Sequence, residues 1–175
     1  FRADGPDHLK PLGETEFVNG IAAQSASGIY GPTRVAAGIV GTMDWRRGAG
    51  VAEILDQHIT LGGGRFRGIR VGATWDASPE VENHRTEPPQ GLYSDSVFRD
   101  AFAELAKRDL SFEAWCYHPQ IPGLADLARA HPDNRIVLDH FGGPIGIGPY
   151  ADKKDAVFEE WKANLANLAT CENVV

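Results

Sequence analysis

The run R-I-V-L-D-H-F, Arg135 to Phe141, is short, apolar and closed by an acid and a histidine. It follows S-F-E-A-W-C-Y-H, Ser111 to His118, which also ends on a histidine. Apolar runs of this length, bounded by turn residues, read as strands buried in a parallel sheet. Two more precede them, V-A-A-G-I-V (Val35 to Val40) and F-R-G-I-R-V-G-A-T-W (Phe66 to Trp75).

Segments with helical spacing separate the strands. Phe17, Ile21 and Ala22 form a stripe within Glu14 to Ala26, and Val51, Ile54, Leu55, His58 and Leu61 form one within Gly50 to Leu61. Asp95 to Asp109 repeats the pattern through Val97, Phe98, Ala101, Phe102 and Leu105, with Asp95 as the cap. Pro122 to Ala130 and Lys153 to Cys171 complete the helices, and Asn173 begins a further strand. The stretch from Asp76 to Gly91, rich in Pro, Glu and Ser, predicts a long loop bordering a site.

Strand–helix alternation with short returns is the grammar of right-handed βαβ units. Alternation alone leaves a doubly wound sheet and a barrel open. Neither G-x-G-x-x-G nor G-x-x-x-x-G-K-[ST] opens a helix, which lowers the nucleotide-binding readings. The net charge of −7 argues against nucleic acid, whose phosphates require a basic face. No apolar run approaches the roughly 20 residues of a membrane span. Phe1 to His8 lacks the basic-then-apolar order of a secretion signal. Two cysteines are too few for a disulfide framework, so the expected setting is the reducing cytoplasm and the expected ligand a small molecule.

In parallel α/β proteins the site lies at the C-terminal ends of the strands. His118 and His140 both stand there, and histidine offers a neutral imidazole to a metal or a proton. The odds for a pair exceed those for one histidine, which is more often a core or surface residue. Alternation puts Phe112, Ala114, Cys116 and His118 on one face, and Ile136, Leu138 and His140 on one face. That face is expected to point inward, with Asp139 on the opposite side of a regular strand from His140. Arg70 is a candidate anchor for a substrate carboxylate, its bland alternative being a salt bridge to Glu80, Glu82 or another loop acid. Tyr117 and Trp75, near the same strand ends, join it as substrate-binding candidates. His8, His58, His84 and His131 receive no catalytic role. No G-x-S-x-G elbow is present, and an apolar strand is a poor setting for Cys116 as a nucleophile.

The runs G-E-T-E-F-V-N-G-I-A-A (Gly13 to Ala23), Y-G-P-T-R-V-A-A-G-I-V-G (Tyr30 to Gly41), G-R-F-R-G-I-R (Gly64 to Arg70), W-C-Y-H-P-Q (Trp115 to Gln120) and I-V-L-D-H-F-G-G-P-I-G (Ile136 to Gly146) resemble the amidohydrolase-2 family. The resemblance implies an α/β fold, the (β/α)8 TIM barrel. Residues 1–175 would be the central part of one such domain, supplying about the third to sixth strands and the start of the seventh. The implied activity is hydrolysis, opening a lactone or related C–O or C–N bond of a carboxylated small molecule with activated water. A metal-dependent non-oxidative decarboxylase and a catalytically incomplete fragment are the alternatives.

His118 and His140 match the histidines closing the fifth and sixth strands, as catalytic residues and as ligands of at most one divalent metal, zinc or manganese. Metal-independent chemistry stays open. Arg70 matches a carboxylate anchor, whereas Val71 stands where relatives carry a histidine. The first-strand His-x-His and the eighth-strand aspartate of the pattern fall outside the chain. Four strands cannot close a barrel, so the chain alone is expected to self-associate and to lack turnover. A homo-oligomer is the expected assembly of the parent protein.

Overall fold

Phe112 and Ala114 alternate along one strand and, with Cys116 just past its end, are completely buried, as is Ile136 on the next strand. They form the floor of the core of the computed structural model, which describes residues 1–2 and 4–175. Four strands, β1 (Ile39–Gly41), β2 (Phe66–Gly72), β3 (Ser111–Trp115) and β4 (Ile136–Leu138), pair in parallel in sequence order. The helices are α1 (Leu12–Ala26), α2 (Ala52–Leu61), α3 (Ser96–Ala106), α4 (Ile121–Ala130) and α5 (Lys154–Leu168). The chain end adds the expected further pairing, with Val174 bridging to Ile136 in parallel.

The apolar stripes explain where the helices sit. Phe98, Ala101, Phe102 and Leu105 of α3 are fully buried, and Phe102 meets Phe112 edge-on at 5.2 Å. From α4, Leu124, Leu127 and Ala128 close the same layer. Asp95 caps α3 as expected, its Oδ1 accepting the Phe98 N–H at 2.9 Å. Of the stripe expected in α1, Ala22 is buried but Phe17 is 69% exposed, and Leu12 and Thr15 face the protein in its place.

Two strands are shorter than their apolar runs. Val35 lies outside β1, and Ala36 has a φ of 53° that no strand accommodates. At the other edge β4 stops at Leu138, because His140, Phe141 and Gly142 adopt φ of 52°, 57° and 63° in succession. Gly142 rests on Ile121 of α4, where an added Cβ would come within 2.6 Å of the isoleucine Cδ1.

His58 illustrates how a buried polar residue is tolerated. Its Nδ1 pairs with the Thr15 hydroxyl at 2.8 Å, its Nε2 with the Thr42 carbonyl at 3.2 Å, and its ring stacks on Phe66 at 4.8 Å. One side chain thereby ties α1, α2 and the end of β1 together. Burial pushes its pKa down to about 4. Unfolded, the ring takes a proton below about 6.5, so the unfolded state binds more protons between the two values. Stability is therefore expected to fall as pH drops from about 6.5 to about 4, by about 3 kcal/mol in all. Urea unfolding of the protein and of His58→Gln across that range checks this, since the variant should lose most of the slope.

Candidate active site

The face of the sheet away from the helices carries the polar residues. Arg70 on β2 and Glu113 on β3 are register partners, and Glu113 in turn stands beside Val137 of β4. Trp115 and Tyr117 follow Glu113 on this side, their rings 6.0 Å apart. Gly72 leaves room for the His84 ring, which an added Cβ would overlap. A cavity of about 740 Å³ opens here, walled by Arg70, Glu113, Trp115, Trp45, Arg46 and His84 among others.

Arg70 holds the centre. Its Nε lies 2.9 Å from Oδ2 of Asp139, and its NH2 lies 3.1 Å from Nε2 of His140. The Nε–H is not directed at Oδ2, which is buried and accepts no aligned hydrogen bond. A guanidinium has only donors, so His140 Nε2 accepts and the ring proton belongs on Nδ1. Trp115 meets the imidazole edge-on at 4.8 Å. The opposition expected between Asp139 and His140 therefore does not hold. It assumed a regular strand, and the left-handed turn beyond Leu138 cancels the alternation and delivers both residues to Arg70. Arg70 finds its acid just beyond the end of β4, two strands across the sheet, rather than in the loop.

His118 is not brought to this cluster. The face it shares with Phe112, Ala114 and Cys116 is the one covered by helices, the reverse of the expected orientation. The chain leaves the strand after Trp115, and His118 opens a short 3-10 turn, fully buried. Its Nδ1 accepts the Ile145 N–H at 3.3 Å, and Tyr150 packs edge-on at 5.3 Å. Its Nε2 is buried without a partner, and burial holds its pKa below the usual histidine range. Trp75 is also elsewhere, lining a separate cavity of about 480 Å³ with Asp76 and Tyr150. Tyr117 does face the Arg70 side, its hydroxyl donating to the Glu82 carbonyl at 2.6 Å and pinning the predicted loop.

Two members of the site were overlooked. Glu113 was readable, being a charged residue amid the apolar S-F-E-A-W run and of the parity that faces away from helices. Burial first, and the neighbouring Asp139 charge and hydrogen bond next, raise its pKa above the ordinary glutamate value. His84 gave no comparable signal, since its position depends on the missing side chain of Gly72. Cys116 is buried and its thiol is pushed up to about 12, so it stays protonated and unreactive near neutrality.

The cluster does not by itself fit a divalent metal. The His140 Nε2 lone pair is directed at a cation, and among the described residues no three His, Cys, Asp or Glu side chains converge. His118 and His140 share no contact through which a common ion would be held.

Comparison with known proteins gives the setting. The chain is 31% identical to the uncharacterized protein y4mH of Sinorhizobium fredii over 97% of its own length and 50% of that protein's. It is 26% identical to L-fucono-1,5-lactonase of Burkholderia ambifaria, over 99% of this chain and 56% of the lactonase. The chain thus spans about half the length of the curated relatives it matches. Two crystal structures of an amidohydrolase from Burkholderia multivorans, one with bound zinc and one with bound HEPES, superpose with TM-scores of 0.65 and 0.60. Each is 22% identical, and the match covers 99% of this chain and 58% of theirs. These likenesses show the fold, an α/β TIM barrel of which the parallel sheet β1–β4 is a contiguous part. A family model described as amidohydrolase matches residues 22–175, and the chain belongs to the amidohydrolase family.

Proposed function

We propose that this chain carries the substrate-anchoring part of a hydrolase site that opens a lactone, or a related C–O or C–N bond, in a carboxylated small molecule. The observation that carries the reading is the Arg70 guanidinium, set at a cavity wall between Asp139 and His140 at 2.9 and 3.1 Å. A guanidinium fork recognises a carboxylate through two parallel N–H bonds. In this reading the substrate carboxylate takes over the N–H that points at His140. That frees Nε2, which then accepts a proton from the attacking water and returns it to the leaving oxygen. Water adds to the acyl carbon, the ring C–O bond breaks, and a hydroxy acid is the product. Trp115 supplies an apolar wall against the substrate ring, and Tyr117 steadies the loop over it.

The similarity to an L-fucono-1,5-lactonase supports a lactone as the bond opened, and the zinc in one B. multivorans crystal belongs to that protein. With Nε2 of His140 turned to Arg70, no step here is assigned to a metal.

Hydrolysis of carboxylated and uncharged lactones by the full-length protein that contains this chain, followed by proton release, tests the reading. Arg70→Met is expected to raise KM for the carboxylated substrates by about 10–100-fold and to leave the uncharged ones nearly unaffected. Equal effects on both would sink it. His140→Ala is expected to lower kcat by about 10²–10⁴-fold. His118→Ala should instead cost about 1–3 kcal/mol in urea unfolding, while the folded fraction keeps its kcat. A His118 variant of full stability and no turnover would reverse the two assignments.

A further inference from the structure

His84 has no part in the mechanism above, yet its ring occupies the space of the side chain that Gly72 lacks. A Cβ added at Gly72 would overlap Cγ and Cδ2 of the ring and come within 2.6 Å of Nε2. Gly72 follows Arg70 by two residues on β2, so both belong to the cavity face, about 6–7 Å apart along the strand. His84 and Arg70 accordingly line the same cavity. We propose that His84 donates its Nε2–H to the acyl oxygen of the bound substrate and stabilises the negative charge that gathers there as water adds. The inference rests on Arg70 being the carboxylate anchor, and it names the donor that stands next to that anchor at the reacting bond.

The place of the ring proton follows from the ring's partners. The Thr86 backbone N–H donates to Nδ1 at 3.2 Å, and the Thr86 hydroxyl stands 2.7 Å from the same atom. A backbone N–H can only donate, so Nδ1 presents its lone pair and the proton belongs on Nε2. Among the described residues no group accepts that Nε2–H, at the far end of the ring from Thr86. A second ring proton would have to sit on Nδ1, against the Thr86 N–H. Burial, with the Arg85 and Arg70 charges behind it, also holds the pKa below the ordinary histidine value, so the ring stays neutral.

His140 is the opposite case, with an Nε2 that accepts from Arg70 at 3.1 Å. The cavity wall therefore offers one imidazole as acceptor and a second as donor, which are the two roles that addition of water to an acyl carbon requires. His140 takes the proton of the water. The electron pair of the C=O bond moves onto oxygen, where the His84 N–H meets it. When the carbonyl forms again the ring oxygen leaves with the proton from His140, and His84 has kept its own proton throughout.

The donor is fixed before any substrate arrives. The His84 N–H donates to the Thr74 carbonyl at 3.0 Å and the Glu87 N–H to the His84 carbonyl at 2.8 Å. Arg46 donates to the Thr86 carbonyl at 3.2 Å, and the Tyr117 hydroxyl to the Glu82 carbonyl at 2.6 Å. A donor already in place when charge develops needs no reorganisation at that moment, which is the source of its catalytic effect.

The test uses the full-length protein that contains this chain. His84→Phe keeps a ring over Gly72 and loses the N–H. It is expected to lower kcat by about 10²–10³-fold on carboxylated and uncharged lactones alike, with KM nearly unchanged. Gly72→Ala leaves every functional group intact and displaces the ring, and it should lower kcat in the same way. Nitrogen NMR of the histidine-labelled protein should find the His84 proton on Nε2, and a carboxylated cyclic phosphonate, whose P–O⁻ stands in for the charged oxygen, should move that Nε2–H resonance downfield. A His84→Phe enzyme of undiminished kcat, while Arg70→Met still raises KM for the carboxylated substrates, ends this inference and leaves the anchor standing. A loss confined to KM for carboxylated substrates makes His84 part of the anchor and overturns the proposal as well. Arg70→Met acting equally on both substrate classes removes the anchor and the inference together. Should His84→Phe fail to fold, the NMR of the unaltered protein decides: a proton on Nδ1, or an Nε2–H indifferent to the phosphonate, is a refutation.

Discussion

A parallel strand presents its side chains alternately to two faces, and here one face is wholly committed to helices. Phe112, Ala114, Cys116 and Ile136 lose all exposure beneath α3 and α4, where burial of large apolar side chains stabilises by roughly 1.5–3 kcal/mol each. That commitment determines everything on the other side. Once those residues point outward to the helices, Arg70, Glu113 and Trp115 have nowhere to point but the cavity, whose polar wall is assembled from what parity leaves over.

The same rule explains what could be read in advance. The order of strands and helices, the Asp95 cap and the prominence of Arg70 and His140 followed from apolar spacing and from the resemblance of five short runs. The orientation of the sheet did not. Alternation says which residues share a face, and choosing the inner one requires knowing which set the helices cover. Phe112 and Cys116 on the His118 side were the clue, since small and aromatic apolar residues at full burial belong under helices. Assigning that set inward placed His118 with the cavity, whereas it lies buried on the helix side, and it hid Glu113.

His140 reached the site by a different route, one that periodicity does not describe. Three successive residues with positive φ end β4, and two of them are not glycine. Such conformations cost roughly 1–2 kcal/mol per residue and persist where surrounding contacts insist on them. Here the contacts are visible. Arg70 grips both the acid and the imidazole, Trp115 backs the ring, and the Trp161 indole N–H donates to the Phe141 carbonyl at 2.7 Å. The local conflict in the backbone is resolved by a cross-strand ion pair, so the strain and the site are two aspects of one arrangement.

Gly142 lies flat against Ile121, with no clearance for even a methyl group. The turn that aims the imidazole is therefore seated on the first residue of a helix whose other side is solid core. Enlarging or trimming that isoleucine would tilt the turn like a wedge under a hinge. Residues that never touch solvent thus share in aiming the His140 ring at Arg70, through a single hydrogen in place of a side chain.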